Sequence, residues 1–90
     1  MASNFQISSR KKQNNLYLKL SGDFDGSSAY ELIHYLKDNS GRAKKIMVDT
    51  QSLRNVYPFG THILKKNLHV LNGKSKHITF AGKNAGQIAG

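Results

Sequence analysis

The sequence contains no cysteine, which removes disulfide frameworks, thiolate metal sites and Cys-His nucleophilic chemistry together. Any core must therefore hold by packing alone, a condition that fits a reducing compartment. No run of about 18 apolar residues occurs, and Met1 to Gln6 carries no apolar signal core, so neither a membrane span nor secretion has support. The expectation is a soluble, cytoplasmic protein. Acidic residues are scarce, five Asp and Glu against 14 Lys and Arg, for a net charge of +9. That balance favours polyanions or an acidic protein surface as partners. The cations are scattered, as Arg10-Lys11-Lys12, Arg42, Lys44-Lys45, Lys65-Lys66, Lys74 and Lys76. No continuous run of about five or six marks a basic tail.

What is present suffices for one core. Ninety residues, 38% of them apolar and falling in compact runs, read as one globular domain over residues 1–90; a chain of this size buries about 60% of its unfolded surface. Phe5 to Ser9 suits a short first strand and Arg10 to Asn14 a hairpin loop. Leu16, Leu18 and Leu20 alternate with Tyr17 and Lys19, the period of a strand over Asn15 to Ser21 with one face on a core. Gly22-Asp23-Phe24-Asp25-Gly26 then reads as a turn. Ser28 and Glu31 have the spacing of a capping box, which starts a helix near Ser28. Ala29, Leu32, Ile33 and Leu36 form its apolar stripe, and Asn39-Ser40-Gly41 its stop.

Lys44-Lys45 lead the unbroken run Ile46-Met47-Val48, the pattern of a strand buried on both faces and ended by Asp49 and Thr50. Proline holds its predecessor extended, so a second helix begins just beyond Tyr57-Pro58. Ile63, Leu64, Leu68 and Leu71 give it an apolar face and Asn72-Gly73 an end. His77 to Ala81 reads as a fourth strand, and 83–90 as a short tail with at most a helical turn. The order β-β-α-β-α-β is a hairpin followed by two right-handed crossovers, an α/β fold with a small mixed β-sheet and its helices on one face. The expected shared core is Leu18, Leu20, Leu32, Leu36, Ile46, Val48, Leu64, Leu68 and Ile78.

Catalytic patterns are thin. Asp23 and Asp25 sit close enough to suggest acid-base work, but turn formation accounts for them more simply. His34, His62, His69 and His77 form no metal signature, since His62 and His69 lie about two turns apart on one helix. No Gly-x-Ser-x-Gly occurs, and the glycine-rich segments 22–26 and 82–86 lack the lysine and hydroxyl of a phosphate loop. Ser27, Ser28 and Thr61 stand near helix starts, where capping explains them. No enzyme, cofactor or metal is expected.

Three segments resemble the STAS family of sulphate transporter and anti-sigma factor antagonist domains. They are Leu18-Lys19-Leu20-Ser21-Gly22-Asp23-Phe24-Asp25, Ile46-Met47-Val48-Asp49, and the loop reaching Gly60; with the element order they match about residues 5–82. The resemblance implies a non-catalytic regulator whose protein partner is an anti-sigma factor or similar kinase-like protein, with Asp25, Tyr57, Pro58, Phe59, Gly60 and Thr61 at the binding surface. It also implies a further helix that this chain stops short of completing. In the family an Asp-Ser-Ser-Gly loop starts the second helix, and the serine before glycine is phosphorylated. The same positions read Tyr57-Pro58-Phe59-Gly60, so the acceptor serine is replaced by Phe59 and no phosphorylation is expected there. Phe59 is then an apolar contact for the partner if exposed, or core filling if turned inward. Two other readings stay open: nucleic-acid binding driven by charge, though without an RNP-like aromatic strand to read bases, and an accessory subunit of a transporter. Neither the partner's identity nor the oligomeric state is legible.

Overall fold

A computed structural model describes residues 4–39, 44–72 and 78–89, with the side chains of 69–72 and 89 outside the description. The helix stops expected at Ser40-Gly41 and Gly73, the side chains of His69 and Leu71, and His77 fall outside the described residues. The elements run β1 (Gln6–Lys12), β2 (Asn15–Phe24), α1 (Gly26–Asn39), β3 (Lys45–Val56), α2 (Pro58–Asn72), β4 (Ile78–Ala81) and α3 (Ala85–Ala89). The sheet order is β1-β2-β3-β4. β1 pairs antiparallel with β2, and β3 runs parallel to both β2 and β4. This is the mixed sheet expected from the sequence.

The alternation along β2 decides which face is covered. Leu16, Leu18, Leu20 and Phe24 are buried while Tyr17 and Lys19 are exposed. On the buried side the stripe Ala29, Leu32, Ile33 and Leu36 of α1 meets Ile63 and Leu64 of α2 and Ile46, Val48 and Leu53 of β3 in one cluster. Leu68 and Ile78, expected in the core, pack against it partly buried. Both helices follow parallel crossovers of one hand, so they share a face and leave the other bare.

The structure departs from the sequence pattern at several places. β1 extends through Lys12, and the hairpin closes over Gln13 and Asn14 alone, with Gln13 at φ 58°. The stretch from Gly22 to Phe24 is strand, not turn: Gly22, at φ 88°, absorbs an irregularity in the pairing with β3, and Phe24 returns to the core. Met47 is 41% exposed, so β3 is covered on one face only. β3 also runs past Thr50 to Val56. Its register slips twice against β2, since Lys19 pairs Asp49 but Ser21 pairs Ser52, and Gly22 pairs Leu53 but Asp23 pairs Asn55. Each extra residue breaks the alternation that marks a strand in sequence.

The tail is an integral layer of the fold. Thr50 is fully buried; its hydroxyl donates to the Ala81 carbonyl at 2.7 Å and accepts from the Asn84 amide at 3.2 Å. The Asn84 side-chain amide donates to the Thr50 carbonyl at 2.9 Å, and the Lys83 amide to Gln51 Oε1 at 2.9 Å. These bonds turn the chain at Gly82 (φ 98°) and seat α3 with Ile88 fully buried.

Candidate functional site

The carboxyl ends of β2 and β3 lie side by side, and the loops leaving them are stitched together. The Tyr57 amide donates to the Phe24 carbonyl at 2.9 Å. Gly60 sits so close that a Cβ on it would stand 2.7 Å from the Asp25 carbonyl oxygen and 3.0 Å from that of Phe24. Only glycine allows this approach, and through it Asp25, Tyr57, Pro58, Phe59, Gly60 and Thr61 gather at one end of the sheet.

Each helix start follows from local chemistry. Asp25, rather than the expected pair Ser28 and Glu31, caps α1: its Oδ1 accepts from the Ser28 amide at 2.9 Å, satisfying a donor the first turn would otherwise leave open. The Ser28 hydroxyl points back to the Asp23 carbonyl at 2.8 Å, with Asp25 Oδ1 at 3.0 Å, and is buried. Ser27 Oγ donates to the same carboxylate at 3.2 Å. Pro58 occupies the first position of α2, where its missing amide proton costs nothing. The Thr61 amide bonds the Tyr57 carbonyl at 3.2 Å and its hydroxyl donates to the Pro58 carbonyl at 2.9 Å.

The amide of Ser28, helped by the hydroxyls of Ser28 and Ser27, holds the Asp25 carboxyl below the ordinary carboxylate range. A group depressed in the folded state stabilises above its unfolded pKa, about 3.9, and loses that contribution as pH falls through the folded value. Loss of the cap by Asp25→Ala should cost about 1 kcal/mol at neutral pH, the usual magnitude for truncating an N-cap. The gap from wild type should close in acid, as read by urea denaturation at about pH 7 and pH 2. Asp23 is occupied separately: Oδ1 accepts from Asn55 Nδ2 at 2.8 Å and Oδ2 from Asn4 Nδ2 at 3.4 Å. The two aspartates thus tie different segments rather than form a facing acid-base pair.

Phe59 is 67% exposed and Tyr57 47% exposed. The Phe59 ring lies near Gly26, where a Cβ would come within 2.9 Å of it. Tyr30, one helical turn beyond Gly26 on the same face of α1, is 53% exposed and adds a third aromatic near this end. Tyr30 belongs to no sequence motif, and only its four-residue spacing from Gly26 marks it. His34 and His62 are exposed, away from any grouping: among the described residues no three of His, Asp and Glu gather as a metal site would need.

No family model matches the sequence, and no curated protein does. Solved structures do share the fold. Mglu in its native form superposes with a TM-score of 0.71 at 9% identity over 83% of this chain, which spans 23% of that protein's length. An uncharacterised protein of the DUF3478 family with a SpoIIAA-like fold, from Shewanella loihica PV-4, gives 0.64 at 16% identity, covering 97% of this chain and 75% of that one. The anti-sigma factor antagonist SpoIIAA in its unphosphorylated form gives 0.54 at 9% identity, with 92% of each chain covered. The STAS-like architecture expected from the sequence is the one observed.

Proposed function

We propose that this SpoIIAA-like fold is a non-catalytic, cytoplasmic regulatory domain that binds an anti-sigma factor or a similar kinase-like protein through Asp25 and the Tyr57–Thr61 loop. The observation that carries the proposal is the state of Phe59. By the sequence resemblance it takes the place of the family's phosphoacceptor serine, and it is 67% exposed, with its ring near Gly26. An exposed aromatic is the kind of residue that anchors interfaces, because it offers a large apolar area to bury on binding. A phosphate at that position would add about −1.5 to −2 charge at a helix start and switch the surface. Phe59 has no hydroxyl to accept one, so binding is governed by abundance rather than by phosphorylation.

Phe59→Ser tests this. Titrated by calorimetry into a kinase-type anti-sigma factor, the variant should bind about 1 to 3 kcal/mol more weakly than wild type. Its melting temperature should stay within a few degrees, since little buried area is lost. Unchanged affinity with a large loss of stability would assign Phe59 to packing instead. Incubating the wild type with that kinase and ATP should leave the loop unmodified. Stoichiometric phosphate on Thr61, Ser27 or Ser28 with loss of binding would overturn the reading.

A further inference from the structure

The face of the sheet opposite the helices has a composition that solvation alone does not explain. Pairing places Arg10, Tyr17, Met47 and Thr79 in one row across the four strands. The row on one side contains Lys12, Asn15 and Lys45; the row on the other contains Ser8, Lys19 and Asp49. Tyr17 is 39% and Met47 41% exposed, and Arg10, Lys12, Lys19 and Lys45 are exposed around them. Among the described residues none of these four cations is held by a carboxylate. Asp49, the acid within these rows, accepts the Gln51 amide at 2.9 Å. The rows enclose a shallow concavity of about 710 Å³ lined by Arg10, Lys12, Tyr17, Lys19 and Met47.

We propose that this open face is a binding surface for single-stranded nucleic acid, distinct from the loop site at the strand ends and independent of it. Three consecutive rows each carry a cation, at a repeat of roughly 6.6 Å set by the strand rise. That is a ladder of positive charge suited to a linear polyanion rather than to one bound ion. The Tyr17 ring, central in the sheet and flanked by Arg10 and Met47, supplies a platform for base stacking, which needs no particular base and so confers little sequence preference. An acidic peptide would satisfy the cations and leave the ring idle. A duplex would present its bases already stacked, and the ring would contribute nothing.

The test uses a fluorescein-labelled 12-mer DNA strand of mixed sequence, followed by anisotropy at 50 and 200 mM salt. Tyr17→Ala should weaken binding by roughly tenfold or more, and Tyr17→Phe should retain affinity within about threefold because the ring is kept. Arg10→Ala/Lys12→Ala/Lys19→Ala should lower the slope of log K against log salt by about 2, as expected for three phosphate contacts to a single strand. Lys65→Ala/Lys66→Ala, which removes exposed cations from α2 on the opposite layer, should change affinity for the strand far less per charge. Circular dichroism melts confirm that each variant is folded. The proposal is overturned if Tyr17→Ala binds as wild type, or if the helix variant loses as much per charge as the face variant. It is equally overturned if polyglutamate competes charge for charge, or if phosphatidylserine vesicles or the duplex bind as tightly as the strand.

Discussion

Gly22→Ala should lower the melting temperature by roughly 12 to 24 °C, taking about 3 kcal/mol of lost stability and 4–8 °C per kcal/mol for a domain of this size. Two effects add. Gly22 sits at φ 88°, a conformation that costs an L-residue about 1–2 kcal/mol. Its Cβ would also overlap the Asn4 carbonyl oxygen and come within 2.7 Å of the Asn4 carbonyl carbon and 3.1 Å of Phe5 Cα. Those atoms belong to backbone and cannot swing aside. Relief requires moving Asn4 and Phe5, which breaks the hydrogen bond from the Asp23 amide to Asn4 Oδ1 at 3.3 Å. It also separates the edge-to-face pair Phe5–Phe24, whose ring centres are 5.9 Å apart. A melting temperature within about 3 °C of wild type, under 1 kcal/mol on the same scale, would show that the segment before β1 moves freely and the contact is unimportant.

Ile88→Ala should cost about 2–5 kcal/mol by chemical denaturation, the range for truncating a buried aliphatic side chain. The expectation is large for a five-residue helix because Ile88 is fully buried in the main cluster. α3 packs on α2, β3 and β4 together, so the vacated space is bounded by three elements that cannot all collapse into it. The bonds of Thr50, Gln51 and Asn84 hold the tail in place while the cavity opens. A cost below about 1 kcal/mol would mean that the tail detaches without consequence, and that the core is complete without it.

These two positions mark the limits of what sequence pattern reveals. The alternation in β2 and the stripe on α1 were legible because each repeats inside one element, and repetition is what periodicity detects. β3 was cut short at Asp49 and Thr50 because two extra residues interrupt its alternation; only pairing against β2 shows that Leu53 returns to the core. Ile88, an isolated apolar residue among Ala85, Gly86, Gln87 and Ala89, had no period to announce it. The same holds at the site. Pro58 and the family resemblance placed the loop, but the Phe59 ring lies near Gly26 at the start of the other helix, a proximity no local pattern encodes. Ser28 and Glu31 satisfied the spacing of a cap, yet Asp25 took the position because β2 runs on through Phe24 and delivers Asp25 there. Tyr17 was legible as the outward residue of its strand. That the outward side would stay uncovered followed from the handedness of both crossovers together.

β1 is the outermost strand on its side of the sheet, and all but one of its residues are exposed. A strand with an open backbone edge invites a second copy to pair with it. Arg10, Lys11 and Lys12 end this one in consecutive positive charges, so two copies meeting edge to edge would crowd six cations into a single ribbon. Repulsion of that kind discourages sheet extension between molecules at the moment of encounter, before any backbone bond forms. Neutralising those three residues should expose the tendency they suppress, as turbidity that rises with protein concentration and is reversed by restoring any of the charges.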